Sequence, residues 1–178
     1  MSSQCWSSGP DMWRREWMAT CIALLLSVVV AAPVLSASNS YEKDAWGGVR
    51  LFEADLSARY QTTLTRSEGG GFAKVRFDID TMEITWEVEY DGLTSSPTAI
   101  HLHGPAQPGT NAVQIIDLGI NGLVSPITGT LKVSDSHVQY MLLGWTYVLL
   151  KTEKYANGEL RGKLDTVPPP GFKRVTTD

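Results

Sequence analysis

Cysteine is nearly missing from this chain, and the two that occur sit close to its N-terminus. Among 178 residues only Cys5 and Cys21 are cysteines, both in an N-terminal leader. A chain that loses this leader keeps no disulfide, no thiol nucleophile and no thiolate metal ligand. Histidine is equally scarce, with three residues: His101, His103 and His137. Excess positive charge is lacking too. The formal net charge is −4, and the leader does not change it, because Asp11 and Glu16 cancel Arg14 and Arg15. A surface built for phosphates is usually basic, so nucleic acid is not an expected partner. No Gly-x-Ser-x-Gly elbow and no His-Glu-x-x-His pair occurs, which leaves the common hydrolase arrangements without their parts. No internal repeat is found.

The leader itself carries compartment information. Arg14 and Arg15 precede a mostly apolar run from Met18 to Leu35, followed by Ser36, Ala37 and Ser38. Basic, apolar and small residues in that order form a secretory signal peptide. We read residues 1–37 as that peptide, cleaved near Ala37, with 38–47 as a linker. The protein is then secreted or periplasmic. The alternative is an uncleaved anchor, since the run approaches the length of a membrane span. That would be the protein's one route to a membrane. About 140 residues remain after cleavage, enough for one domain with an ordinary core.

Most of that remainder has a period of two. Ala73, Val75, Phe77 and Ile79 alternate with Lys74, Arg76, Asp78 and Asp80. Ile84, Trp86, Val88 and Tyr90 alternate with Glu83, Thr85, Glu87, Glu89 and Asp91. Each run predicts a strand with one dry and one wet face, and the link at Asp80–Met82 predicts a hairpin. Further strands are expected over Val49–Leu56, Thr98–His103, Val113–Leu118, Ile127–Val133, Trp145–Lys151 and Glu159–Leu164. Asn157-Gly158 is a hairpin-turn signal between the last two. A short helix is expected over Asp135–Leu143, capped by Ser134 and carrying Val138, Met141 and Leu142 towards the core. His137, in its first turn, reads as solvent-facing. The proline-rich tail, 168–178, reads as disordered. The whole predicts an all-β antiparallel sandwich or barrel of about eight strands with one short helix.

Two polar groups stand out on this background. In Ala99-Ile100-His101-Leu102-His103-Gly104-Pro105 the two histidines share one face of a strand while Ile100 and Leu102 share the other. Paired imidazoles can chelate a metal, hold an anion when protonated or hydrogen-bond to neighbours. In Gly158-Glu159-Leu160-Arg161-Gly162-Lys163, Glu159 and Arg161 lie opposite Leu160. Lys151 follows Leu150 in the same way. Parity fixes the face of each residue within its own strand but not which strands adjoin.

These segments together resemble the chordin-type CHRD domain. The resemblance runs through Phe52-Glu53-Ala54-Asp55-Leu56-Ser57, Tyr90-Asp91-Gly92-Leu93-Thr94, His101–Pro105, Ser125-Pro126-Ile127-Thr128-Gly129-Thr130 and Gly158–Gly162, covering about Gly48 to Val167. It implies an immunoglobulin-like sandwich or barrel over 48–167. Only with the strand adjacency it implies are His101, His103, Lys151, Glu159 and Arg161 expected to converge on one sheet face, with Glu159 as counter-ion to the lysine and arginine. The alternative for the charged residues is a solvated strand edge. It also implies an extracellular or periplasmic module, and it brings no established catalytic activity. Two departures are visible. A Glu-Val-Pro-Pro run common after the first strand is replaced here by Tyr60–Leu64. A third histidine common on the penultimate strand is replaced by Lys151, a cation and a poor ligand at neutral pH.

The expectation is an exported, non-catalytic binding or structural module for an unidentified protein or small ligand, with no cofactor. The alternative is a weak copper or zinc site on His101 and His103.

Overall fold

The computed structural model describes residues 48–168. The expected signal peptide, the linker and all of the expected tail but Pro168 lie outside the described residues. Nine strands, one helix and a single 3₁₀ turn make up the described part: β1 (Val49–Ser57), the 3₁₀ turn (Ala58–Tyr60), β2 (Gly70–Asp78), β3 (Glu83–Asp91), β4 (Pro97–His103), β5 (Gln114–Asp117), β6 (Ile127–Lys132), α1 (Asp135–Leu142), β7 (Tyr147–Thr152), β8 (Leu160–Lys163) and β9 (Asp165–Thr166). The fold is all-β, and every strand pairing is antiparallel. The sheet runs β5-β4-β7-β8-β1-β2-β3-β6, with the two-residue β9, not foreseen from the sequence, paired to β1.

The sheet is thin at one place. β8 meets β1 through the single pair Ser57↔Arg161, whereas β1 and β2 pair along their full length. The sheet curls at this joint, so that β5-β4-β7-β8 and β1-β2-β3-β6 close on one core. Gly162 makes the joint close. A Cβ there would lie 2.3 Å from the Asp55 carbonyl oxygen, so any larger residue would push the halves apart.

One apolar cluster fills the interior. Phe52, Val75, Phe77, Ile84, Trp86 and Val88 enter from one half, and Ile100, Leu102, Val148, Leu150 and Leu160 from the other. The alternation read from Glu83 to Asp91 holds: Trp86 is buried and Glu87 exposed. The buried Trp86 indole finds a partner across the core, donating to the Leu118 carbonyl at 2.9 Å, as a buried indole N–H requires. The β2–β3 hairpin closes through an Asp78 side chain that accepts from the Asp80 and Thr81 amides at 3.0 and 3.3 Å.

The helix forms where its cap is. Ser134 Oγ accepts from the His137 amide at 3.4 Å, supplying one of the orphan first-turn donors. Val138 and Met141 are fully buried, with Leu142 packed beside them. His137, expected to face solvent, is half-buried. Among the described residues, no helix is long and apolar enough to cross a membrane.

Candidate functional site

Strand register decides which predicted side chains meet. His101 lies opposite Leu149 of β7, and Leu149 lies opposite Arg161 of β8. One step along, His103 faces Tyr147, which faces Lys163. One step the other way, Lys151 faces Ala99. His101, His103, Lys151 and Arg161 thus share one face, the face turned away from the core. In an ordinary antiparallel sheet that face is wet. Here it is covered. His103 is 6% exposed and Arg161 5%.

The cover is the loop after β4, residues 104–113, pinned from below by three side chains. Arg161 reaches Thr110 O at 2.6 Å and Asn111 Oδ1 at 3.1 Å. His103 Nδ1 bonds Ala112 O at 2.9 Å, and the Tyr147 hydroxyl accepts from the Ala112 amide at 2.9 Å. Tyr147 is also the platform for both neighbours. The His103 ring stacks on it at 5.1 Å and 13°, and the Arg161 guanidinium lies 3.6 Å from its centre, a cation–π contact. Asn111 additionally accepts from Thr62 Oγ1 at 3.1 Å, so the loop after the 3₁₀ turn joins the cover. Beside it opens a cleft of about 380 Å³, whose lining includes Tyr60, Gln107, Tyr147, Arg161, Lys163 and Asp165.

A hydrogen bond fixes the His103 tautomer, and a nearby carboxylate biases that of His101. A carbonyl only accepts, so His103 carries its proton on Nδ1 and presents a lone pair at Nε2. His101 Nε2 lies 4.0 Å from Asp117 Oδ1, and the carboxylate favours the proton on that nitrogen, leaving the lone pair at Nδ1. Both lone-pair nitrogens are buried with no protein partner. The rings are 5.8 Å apart, tilted by 49°. Burial lowers the pKa of each. For His101, Asp117 opposes the effect and Lys151 adds to it. For His103, the Ala112 bond opposes it, while His101, Lys151 and Arg161 add to it. Both rings are therefore neutral at pH 7.

Glu159 does not join them. Its carboxylate accepts from Ser67 Oγ at 2.6 Å, Thr152 Oγ1 at 2.6 Å, and the Thr94 amide and hydroxyl at 2.8 and 2.9 Å. It is fully buried, and these neutral donors, not Lys151 or Arg161, are its partners. The expected counter-ion role is overturned, for a local reason. Glu159 precedes β8 and follows Gly158, whose φ is +123°. Strand parity does not extend to it, so it turns away from Arg161. The turn differs accordingly: residues 153–159 link β7 to β8, with Gly158 N donating to Tyr155 O at 2.9 Å, in place of a two-residue Asn157-Gly158 hairpin.

Sequence reasoning missed Tyr147, Asn111 and Asp117. Tyr147 was within reach, since it is in phase with Leu149 and Lys151. Asn111 and Asp117 gave no signal, because their roles depend on which strands adjoin. Among the described residues, no group of three or more His, Cys, Asp or Glu side chains is placed to hold a metal.

A curled all-β domain with a roofed polar face is the class this geometry defines. The family model that matches the chain is the CHRD domain, over residues 52–164. The chain belongs to the CHRD-domain family. No curated protein and no solved structure gives a match.

Proposed function

We propose that this CHRD domain is an exported, non-catalytic binding module that meets its ligand, a protein or a small molecule, with the 104–113 loop and the adjoining cleft. One observation carries the reading. The side chains best equipped for chemistry, His103, Tyr147 and Arg161, spend their hydrogen bonds holding that loop. A loop fixed on a sheet, with Gln107, Pro108, Gly109 and Val113 turned outward, is a common way of presenting a recognition surface on a rigid scaffold. Export rests on the leader pattern of residues 1–37.

Site-specific photo-crosslinking in the native extracellular or periplasmic fraction tests the binding surface. A crosslinking residue at Pro108 should give a discrete adduct, and the same residue at Thr85, on the outward face of β3, should give none. Adducts from Thr85 alone would overturn the assignment. N-terminal sequencing of exported protein tests the leader. A start near Ser38 supports cleavage, and a full-length membrane-retained product supports the anchor.

A second reading, a copper or zinc site on His101 and His103, is supported by their two buried lone pairs without protein partners.

A further inference from the structure

We infer that His101 Nδ1 and His103 Nε2 form a two-coordinate site for monovalent copper, selective against divalent copper and zinc. This rests on the metal reading of the same two histidines and deepens it.

The argument begins at the far nitrogens. Imidazoles that ligate metals usually donate their other N–H to a carbonyl or a carboxylate, which fixes the tautomer and raises the basicity of the ligating nitrogen. His103 makes such a bond, and His101 has a carboxylate near its far nitrogen without a direct hydrogen bond. His103 Nδ1 is held by the Ala112 carbonyl at 2.9 Å, and His101 Nε2 faces the Asp117 carboxylate at 4.0 Å. The remaining nitrogens are buried and unpartnered, a condition that costs free energy unless something donates to them or binds them.

Spacing suits one ion. A metal bound at about 2 Å to an imidazole nitrogen lies roughly 3 Å from the ring centre, so rings sharing one ion have centres up to about 6 Å apart. The observed separation is 5.8 Å.

Charge and ligand number select the ion. Zinc seeks about four ligands in a tetrahedron, and among the described residues no third histidine, cysteine or carboxylate is placed to complete a set. Lys151 and Arg161 act electrostatically on His103, and Lys151 on His101. Their repulsion is twice as large for a divalent ion as for a monovalent one at the same place. Copper accepts imidazole ligands, and in its filled-shell monovalent state it is stable with two of them.

The test uses the full chain carrying Cys5→Ser and Cys21→Ser, which removes the competing thiols. Cu(I) is titrated anaerobically against a chromophoric Cu(I) chelator, Cu(II) and Zn(II) are titrated in parallel, and X-ray absorption is recorded on the Cu(I) form. The expected result is one Cu(I) per chain on two nitrogens, bound at least about tenfold more tightly than either divalent ion. His103→Gln should abolish it. Asp117→Asn, at a half-exposed position where the amide oxygen can still accept from Gly119 N, should weaken it by about tenfold through His101 alone. Zn(II) or Cu(II) bound as tightly as Cu(I) would overturn the selectivity while leaving the metal reading standing. No metal held more tightly by this chain than by His103→Gln would overturn both. Should His103→Gln fail to fold, an absorption spectrum of the unsubstituted histidine pair showing any environment other than two nitrogens would overturn the inference by itself.

Discussion

The two halves of the sheet treat their outer faces differently. On β1-β2-β3-β6, Glu53, Lys74, Arg76, Thr85 and Glu87 point into solvent. On β7 and β8, the outward residues Tyr147, Leu149 and Arg161 are buried along with their inward neighbours. The first half has one dry face and the second has two. A strand with two dry faces loses its polar alternation, and Tyr147-Val148-Leu149-Leu150 reads as an unbroken apolar run for that reason. The polar groups that remain on such a strand must find partners inside the protein. Arg161 and His103 do so by holding a loop. The polar site is thus a consequence of roofing one half and not the other.

The largest effect is expected at the core both halves share. Trp86 is 1% exposed, and its N–H crosses to the segment after β5. Trp86→Ala should cost roughly 3–5 kcal/mol through the cavity left behind. Urea unfolding monitored by far-ultraviolet circular dichroism measures it. A loss below about 1 kcal/mol would mean that the halves do not depend on this contact.

Glu159 comes next. Burial pushes its pKa up, but the bonds from Ser67, Thr152 and Thr94 outweigh this and hold it below 4.5. As pH falls, the unfolded chain takes the proton first. The stability Glu159 supplies is therefore complete above pH 4.5 and is lost as pH falls through the lower folded value. Glu159→Gln sets an NH₂ against donors and should cost about 2–3 kcal/mol at neutral pH. It should also flatten the acid limb of the stability profile. An unchanged acid limb would show that other carboxylates set it.

Lys151→His sharpens the comparison at the roofed face. The lysine lies one step diagonally from His101, within reach of a long side chain. The substitution removes a cation and adds an imidazole. Zinc or divalent copper should bind about tenfold more tightly, equivalent to about 1.4 kcal/mol. Calorimetric titration of both proteins gives the answer, and equal affinities would place position 151 outside the reach of the pair.

How far the sequence could be read follows the same division. In β2 and β3 the alternation of Val75, Phe77, Ile84 and Trp86 with charged neighbours gave both strand and facing, because water on one side enforces a period of two. In β4, β7 and β8 parity still gave the facing of His101, His103, Lys151 and Arg161, each within its own strand. It could not show that their face was roofed, since the 104–113 loop has no period and its bonds depend on register between strands distant in sequence. Glu159 was misjudged because parity was carried one residue beyond the start of β8, to a position next to the turn at Gly158. The ninth strand, Asp165–Thr166, is too short to carry any pattern.

The smallest effect tests the bare half. Lys74 pairs between Glu53 and Glu87 across β1, β2 and β3, and all three side chains are exposed. Such a row offers attraction in high dielectric, largely screened by salt. Glu87→Ala or Lys74→Ala should therefore change stability by about 0.5 kcal/mol or less. The value is informative because it is small. Arg161, also outward-facing but roofed, holds two loop residues and a tyrosine ring, and hydrogen bonds from a buried charge are worth about 1.5–3 kcal/mol. Urea unfolding of Glu87→Ala beside Arg161→Ala measures the contrast directly. If the two losses were equal, the covering of one half would carry no energetic consequence. If Glu87→Ala alone lost more than about 1 kcal/mol, and did so more strongly at higher protein concentration, the bare face would be covered in solution by a second copy of the chain.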